Sequence, residues 1–195
     1  MLSSIHPLGE RSKGNRFGLT ATAHILGAAL GGALLGVLLG AAAAGVGEVL
    51  GERQRLVLGF IAVAVAAGFE LAGRRPPSWR RQVNEDWLTT YRGWVYGGGF
   101  GVQLGAAVVT IVTSSVTYAM VASALLVGSF AGAVAIAGTF GFIRGLTILA
   151  GARVRDPQGL VRLHRGMARA GAPVARAAAA GMAACALLIG GALAT

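Results

Sequence analysis

Residues 17–47 read FGLTATAHILGAALGGALLGVLLGAAAAGVG and contain no Asp, Glu, Lys or Arg. A helix needs about 20 mostly apolar residues to cross the hydrocarbon core of a bilayer, so this stretch is long enough for one membrane-spanning helix. Three further charge-free stretches follow it, at residues 56–69, 93–143 and 177–195. The sequence therefore predicts an all-α integral membrane protein.

The composition also favours a membrane protein over a soluble one. Of the 195 residues, 55% are hydrophobic, only 12% are charged and 32 are glycine. Soluble domains usually carry about 25% charged residues. The single cysteine, Cys185, excludes an intramolecular disulfide framework and a cysteine-cluster metal site. Because no catalytic motif occurs in the apolar stretches, we expect no enzyme activity, no metal and no cofactor.

Breaks within the charge-free stretches set the expected number of membrane crossings. Residues 56–73 form one span if an acidic residue near its end is tolerated. Residues 93–143 are too long for a single helix, so we predict a turn at Gly128-Ser129 and a helix irregularity at residues 113–117. With a terminal span at the carboxyl end, the chain is predicted to cross the membrane five times.

The basic residues fall mainly on one side of these five crossings. Segments that share a side with the amino terminus hold fifteen of the 17 Lys and Arg residues. The positive-inside rule then predicts an inner (plasma) membrane protein with a cytoplasmic amino terminus and an outside carboxyl terminus. Because the arginines flank apolar stretches, the net charge of +10 indicates contact with anionic membrane lipids and no nucleic-acid binding.

An aromatic pattern after the second span is typical of a membrane–water boundary. Asn84 is expected to cap a short helix, on which Trp87, Tyr91 and Trp94 share one side. Aromatic residues beside a basic loop favour an interfacial anchor over a site for stacking a ligand.

A second amphipathic segment precedes the last span. Asp156-Pro157 predicts a helix start, and residues 156–172 are expected to lie in the inner headgroup region until Pro173 interrupts the pattern. Four arginines form its polar stripe, namely Arg162, Arg165, Arg169 and Arg176.

Glycines recur every fourth residue in two of the predicted spans. One row comprises Gly93, Gly97, Gly101 and Gly105, and a second lies at Gly32, Gly36 and Gly40. Because small residues let helix backbones approach closely in lipid, these rows predict helix–helix seams, within one chain or between protomers.

Polar side chains inside the predicted spans are the candidates for a solute-binding site, because such groups are costly in hydrocarbon. The substrate-binding candidates are Thr113, Ser114, Ser115, Thr117, Gln103, His24 and Glu70. Structural alternatives stay open for each kind of residue. The hydroxyls can bond to carbonyls of their own helix, Glu70 can pair with Arg74, and His24 can make a structural hydrogen bond.

A weak internal repeat suggests inverted topology. A displacement of 111 residues places Ser3-Ser4-Ile5 on Ser114-Ser115-Val116, with few other identities. Inverted repeats are common in transporters. We therefore predict two inverted three-helix repeats at residues 1–73 and 93–195, joined by a cytoplasmic loop at residues 74–92, with the first helix truncated.

The glycine-rich helix, the polar break at Ser114-Ser115 and the apolar stretch after it resemble the second half of CcdA/DsbD-type transmembrane proteins of the LysE/TauE exporter superfamily. The opening His6-Pro7 resembles the end of that family's first, proline-broken helix. In the thiol-relay members a cysteine occurs at each of these two breaks, and this chain has none there. The resemblance thus implies a membrane scaffold with a solute pathway and disfavours a thiol-disulfide relay.

Three functions follow from this reasoning, in decreasing order of preference. The first is a transporter-like protein for an unidentified small solute, and the second is a non-transporting anchor or assembly subunit of a larger membrane complex. The third is a thiol-disulfide relay, for which one cysteine is too few. A homodimer is expected in the first case and a larger membrane complex in the second.

Overall fold

The computed structural model describes residues 5–74, 76–78, 87–107 and 112–194, and all regular structure in these residues is helical. The predicted all-α class is therefore confirmed for this part of the chain. Asn84, the expected cap of the aromatic helix, lies outside the described residues, as do Ser3 and Ser4 of the internal repeat.

Eight α-helices occupy the described residues, and a short 3-10 helix at Thr147–Gly151 extends the seventh. They are α1 (Pro7–Ser12), α2 (Phe17–Val49), α3 (Glu52–Leu71), α4 (Trp87–Thr90), α5 (Gly93–Gly105), α6 (Val116–Leu126), α7 (Phe130–Leu146) and α8 (Pro157–Ala194).

Among these, four helices are long and apolar enough to cross a membrane: α2, α3, α7 with its 3-10 extension, and α8. At about 1.5 Å per residue, α2 with its 33 residues is about 50 Å long, more than the ~30 Å hydrocarbon core requires. α5 and α6 have 13 and 11 residues, so each is too short to cross alone. The apolar helices indicate a membrane-embedded protein.

Local sequence signals predicted two helix boundaries correctly. Between α6 and α7, Gly128 has a φ of +71°, a left-handed conformation that glycine adopts without steric cost. At the start of α8, a carboxylate oxygen of Asp156 accepts a hydrogen bond from the backbone N–H of Gly159, and Pro157 is the first helical residue.

Two expected helix ends are wrong. α8 continues through Pro173 without a break. The expected interfacial helix and the terminal span are therefore one helix. The aromatic helix is instead two helices, because Arg92 adopts an extended conformation with a ψ of 151°, which separates Trp94 on α5 from α4.

The chain forms two compact units, each assembled from three separate stretches. The first unit comprises residues 1–32, 81–110 and 138–171, and the second comprises residues 33–80, 111–137 and 172–195. Each unit therefore contains parts of both predicted repeats, and the inverted repeat stays a prediction.

In the first unit, the glycine row of α5 forms a seam with α2. A methyl group at Gly101 would collide with the carbonyl oxygen of His24, and one at Gly105 with that of Ala28. Both contacts advance by four residues along each helix, so the two helices run parallel at this seam. The predicted role of this glycine row in helix packing is confirmed.

Trp87 of the predicted aromatic anchor packs against α5. Trp87 stacks on Phe100 of α5 with ring centroids 6.1 Å apart, and its edge meets Tyr91 at 5.7 Å. Trp94, the third member of the predicted anchor, is 52% exposed. Trp87 is thus partly a packing residue.

In the second unit, α3 packs against α6 and α8. The hydroxyl of Ser115, just before α6, lies 2.8 Å from the carbonyl oxygen of Ala66, and Leu126 lies near Gly59, so α3 and α6 run antiparallel. The buried apolar cluster of this unit is built mainly from small residues, namely Val63, Ala66, Ala67, Ala119, Met182 and Ala186.

The seam predicts different effects for alanine substitutions at two glycines three residues apart on α5. Gly101→Ala should lower the free energy of unfolding by about 1–3 kcal/mol, because the methyl group must push α5 away from α2. Gly98→Ala is the matched control, since its methyl group would lie 3.8 Å from the carbonyl oxygen of Ala23 on α2, an ordinary van der Waals contact. Unfolding in detergent followed by circular dichroism measures both, and equal stability of the two variants would contradict the seam.

Candidate functional site at the interrupted helix

The chain leaves helical structure between α5 and α6. α5 ends at Gly105, Ala107 has a φ of 52°, and α6 begins only at Val116. The helix irregularity predicted at residues 113–117 is confirmed, although the interruption begins earlier than the sequence suggested.

The carboxylate of Glu70, near the end of α3, lies at the start of α6. Its Oε2 accepts hydrogen bonds from the Ser114 hydroxyl at 3.1 Å, the Ser115 backbone N–H at 2.9 Å and the Ser115 hydroxyl at 2.5 Å. Glu70 thus contacts the two serines, whereas the i, i+4 spacing had suggested a pair with Arg74.

A carboxylate suits this position electrostatically. The first N–H groups of a helix have no partner within the helix and carry partial positive charge, which favours a nearby anion. The Ser114 hydroxyl adds a second cap, because its oxygen accepts a hydrogen bond from the N–H of Val116 at 3.3 Å. Glu70 and Ser114 therefore cap α6 together and tie it to α3.

The remaining hydroxyls of the candidate site are less closely grouped. Ser115 is 3% exposed and Thr117 is 6% exposed, whereas Thr113 is exposed. Neither threonine takes part in the bonds to Glu70. The structure thus brings together Glu70, Ser114 and Ser115, a group able to bind a proton or to contact a polar solute.

His24 and Gln103 belong to the first unit and not to this cluster. The Nδ1 of His24 lies 3.2 Å from the carbonyl oxygen of Gly97. Because a carbonyl oxygen can only accept a hydrogen bond, this nitrogen carries a proton and is the donor. His24 is 4% exposed, and its contact joins α2 to α5. Gln103 is half-buried on α5.

Sequence reasoning missed a buried acid in the first unit. Glu10, on α1, is 0% exposed. Its Oε2 accepts a hydrogen bond from the Thr20 hydroxyl at 2.7 Å, and its Oε1 accepts one from the Tyr96 hydroxyl. Glu10 therefore fastens α1 to both α2 and α5. The available signal was that Glu10 is the only acidic residue before Glu48.

Neighbouring residues support this attachment of α1. The ammonium of Lys13 lies 5.4 Å from the centre of the Tyr96 ring, a cation–π contact. The Nδ1 of His6 caps α1 by accepting a hydrogen bond from the N–H of Gly9 at 3.1 Å. Burial lowers the pKa of His6 against the opposing effect of the Glu10 charge, which favours the neutral ring that this bond requires.

Two basic side chains within the described residues contain a buried nitrogen without a hydrogen-bond partner: Nε of Arg55 and one terminal nitrogen of Arg144. The guanidinium of Arg144 lies 5.5 Å from the ring of Phe140, which offsets part of the cost of burial. Among the residues that the structure describes, no three His, Cys, Asp or Glu side chains are grouped to hold a metal.

No protein-family model, curated protein or solved structure matches this chain. The resemblance to CcdA/DsbD-type proteins therefore stays a prediction from the residues quoted above.

The Glu10 contacts predict a large effect for one substitution. Glu10→Ala should lower the free energy of unfolding by about 1–3 kcal/mol, because it leaves the buried hydroxyls of Thr20 and Tyr96 without their acceptor. It should also speed trypsin cleavage after Arg11 by releasing α1. The control is Glu48→Ala, at an exposed position on α2. If both variants resist trypsin like the wild type, Glu10 does not hold α1 in place.

Proposed function

We propose that this chain is a transporter-like protein of the inner (plasma) membrane that moves a small solute past the interruption between α5 and α6. The observation that carries the proposal is the Glu70 carboxylate, which three donors from Ser114 and Ser115 hold at the start of a half-helix. Transporters often bind their solutes where a membrane helix is interrupted, because half-helix ends and freed backbone groups then face the solute.

Within this proposal, α5 and α6 together make one membrane crossing, so the chain crosses the membrane five times. Its amino terminus is cytoplasmic. The inverted-repeat ancestry and the exporter-superfamily resemblance agree with this arrangement. Ser114 and Ser115 contact the solute through their hydroxyls, which the solute engages in place of Glu70. Thr113 and Thr117 flank this point on either side in sequence.

Reconstituted vesicles test the proposal without knowledge of the natural solute. The probes are glycerol, urea, formate and acetate, with light scattering to follow vesicle volume and an enclosed dye to follow pH. Wild-type vesicles should pass at least one probe faster than protein-free vesicles. The double variant Ser114→Leu/Ser115→Leu should return that flux to the protein-free level, because leucine removes both donors and fills the interruption.

Two further variants make the assay specific to the site. Ser123→Leu changes a half-buried serine farther along α6 and should keep the wild-type flux. Glu70→Gln preserves the size of the side chain but removes its charge and weakens its bonds to the serines, so the flux should fall. Equal flux in the wild type and the double variant would exclude the serines from the pathway.

A non-transporting membrane subunit is the second candidate, and one observation favours it. The buried Glu10, the half-buried Glu70 and His24 have hydrogen-bond partners within the chain, as expected for a scaffold. Large apolar side chains such as Leu187 and Leu188, 75% and 76% exposed, leave surface for a partner helix or for lipid. Purification with a stoichiometric partner protein, together with wild-type flux equal to that of protein-free vesicles, would favour the subunit.

A further inference from the structure

A groove lies in the second unit between α3, the segment 76–78 and the start of α6. It encloses about 270 Å³, and its walls are mostly apolar. The side chains that shape it are Ala62, Val65, Phe69, Pro76, Pro77 and Tyr118. Val65, Phe69 and Tyr118 are 54%, 40% and 45% exposed, so the groove opens on the surface of this unit.

The hydroxyl groups beside the groove already have acceptors within the chain. The Tyr118 hydroxyl donates to the carbonyl oxygen of Pro77, and the Ser115 hydroxyl donates to the carboxylate of Glu70. An occupant would therefore meet apolar walls and few free donors. This favours a hydrocarbon chain over a polar solute.

The proline wall of the groove is held in place. Prolines have a fixed φ, which stiffens this segment. Besides the Tyr118 bond, the hydroxyl oxygen of Ser78 accepts a hydrogen bond from the backbone N–H of Val112 at 2.7 Å. The segment is thus attached at both Pro77 and Ser78.

An exposed arginine lies close to the groove in the chain. The backbone N–H of Arg74 donates to the carbonyl oxygen of Phe69 at 3.2 Å, which places this exposed arginine beside a groove residue. Residues 74–81 contain four arginines and no acidic residue in sequence. Guanidinium groups bind phosphate through paired, charge-assisted hydrogen bonds.

We propose that this groove holds one acyl chain of an anionic phospholipid whose phosphate pairs with Arg74. The apolar walls select the chain and the arginine selects the charge, so the site distinguishes anionic from zwitterionic lipids. The inference concerns a lipid site and stands independently of solute transport.

Native mass spectrometry of the full-length, delipidated protein in detergent tests this site. The probes are dioleoylphosphatidylglycerol, dioleoylphosphatidylcholine and glycerol phosphate, which carries the same charge chemistry without acyl chains. The anionic lipid should bind about tenfold more tightly than the zwitterionic one, a difference of about 1.4 kcal/mol. Glycerol phosphate should not displace it, because the chain supplies the apolar contact.

Two variants separate the roles of the groove and the charge. Val65→Trp should fill the groove and weaken binding of both lipids, whereas Arg74→Gln should remove only the preference for the anionic lipid. The controls are Leu26→Trp on α2, where the leucine is 62% exposed, and Arg53→Gln at an exposed position on α3. Val65→Trp with wild-type lipid affinity, or equal affinity of the wild type for both lipids, would overturn the proposal.

Discussion

A backbone N–H or C=O group without a hydrogen-bond partner costs several kcal/mol in hydrocarbon, and this cost restricts a membrane-embedded chain to helices wherever lipid surrounds it. The described residues are mostly helical, and one place where the ladder of helix hydrogen bonds stops is the stretch between α5 and α6. At the start of α6, side-chain oxygens accept the hydrogen bonds of N–H groups that have no backbone acceptor within the helix. The Glu70 carboxylate binds the N–H of Ser115, and the Ser114 hydroxyl binds that of Val116. The interruption is thus stabilised from a neighbouring helix.

The two compact units use acids in the same way. In the first unit Glu10 accepts hydrogen bonds from Thr20 and Tyr96, and in the second Glu70 accepts them from Ser114 and Ser115. Within the described part of the chain, the hydrogen-bond donors to both carboxylates are hydroxyl or backbone groups, although the chain has 17 basic residues. Each acid joins a short helix to longer ones, α1 in one case and α6 in the other. Close glycine contacts such as that of Gly101 with α2 allow the backbones to approach.

The sequence predicted features that depend on local composition. Charge-free length predicted the long helices, and the conformational freedom of Gly128 predicted the turn before α7. Glu70 and Ser115 were both candidates, but their contact joins residues 45 apart, which spacing along one helix cannot reveal. Glu10 was missed because an acid among Arg11 and Lys13 has the pattern of a solvated tail. Pro173 was also misleading, because a proline usually favours the end of a helix but α8 continues through it.

Hydrogen exchange at the start of α6 tests the central claim most directly, because it reports whether Glu70 protects the amides there. Exchange in residues 112–120 should be slow in the wild type and faster in Glu70→Ala, while Glu52→Ala, at an exposed position at the start of α3, leaves it unchanged. Amides in the middle of α7 should be unaffected in both variants. If Glu70→Ala leaves exchange in residues 112–120 as slow as in the wild type, the carboxylate does not stabilise the interrupted helix.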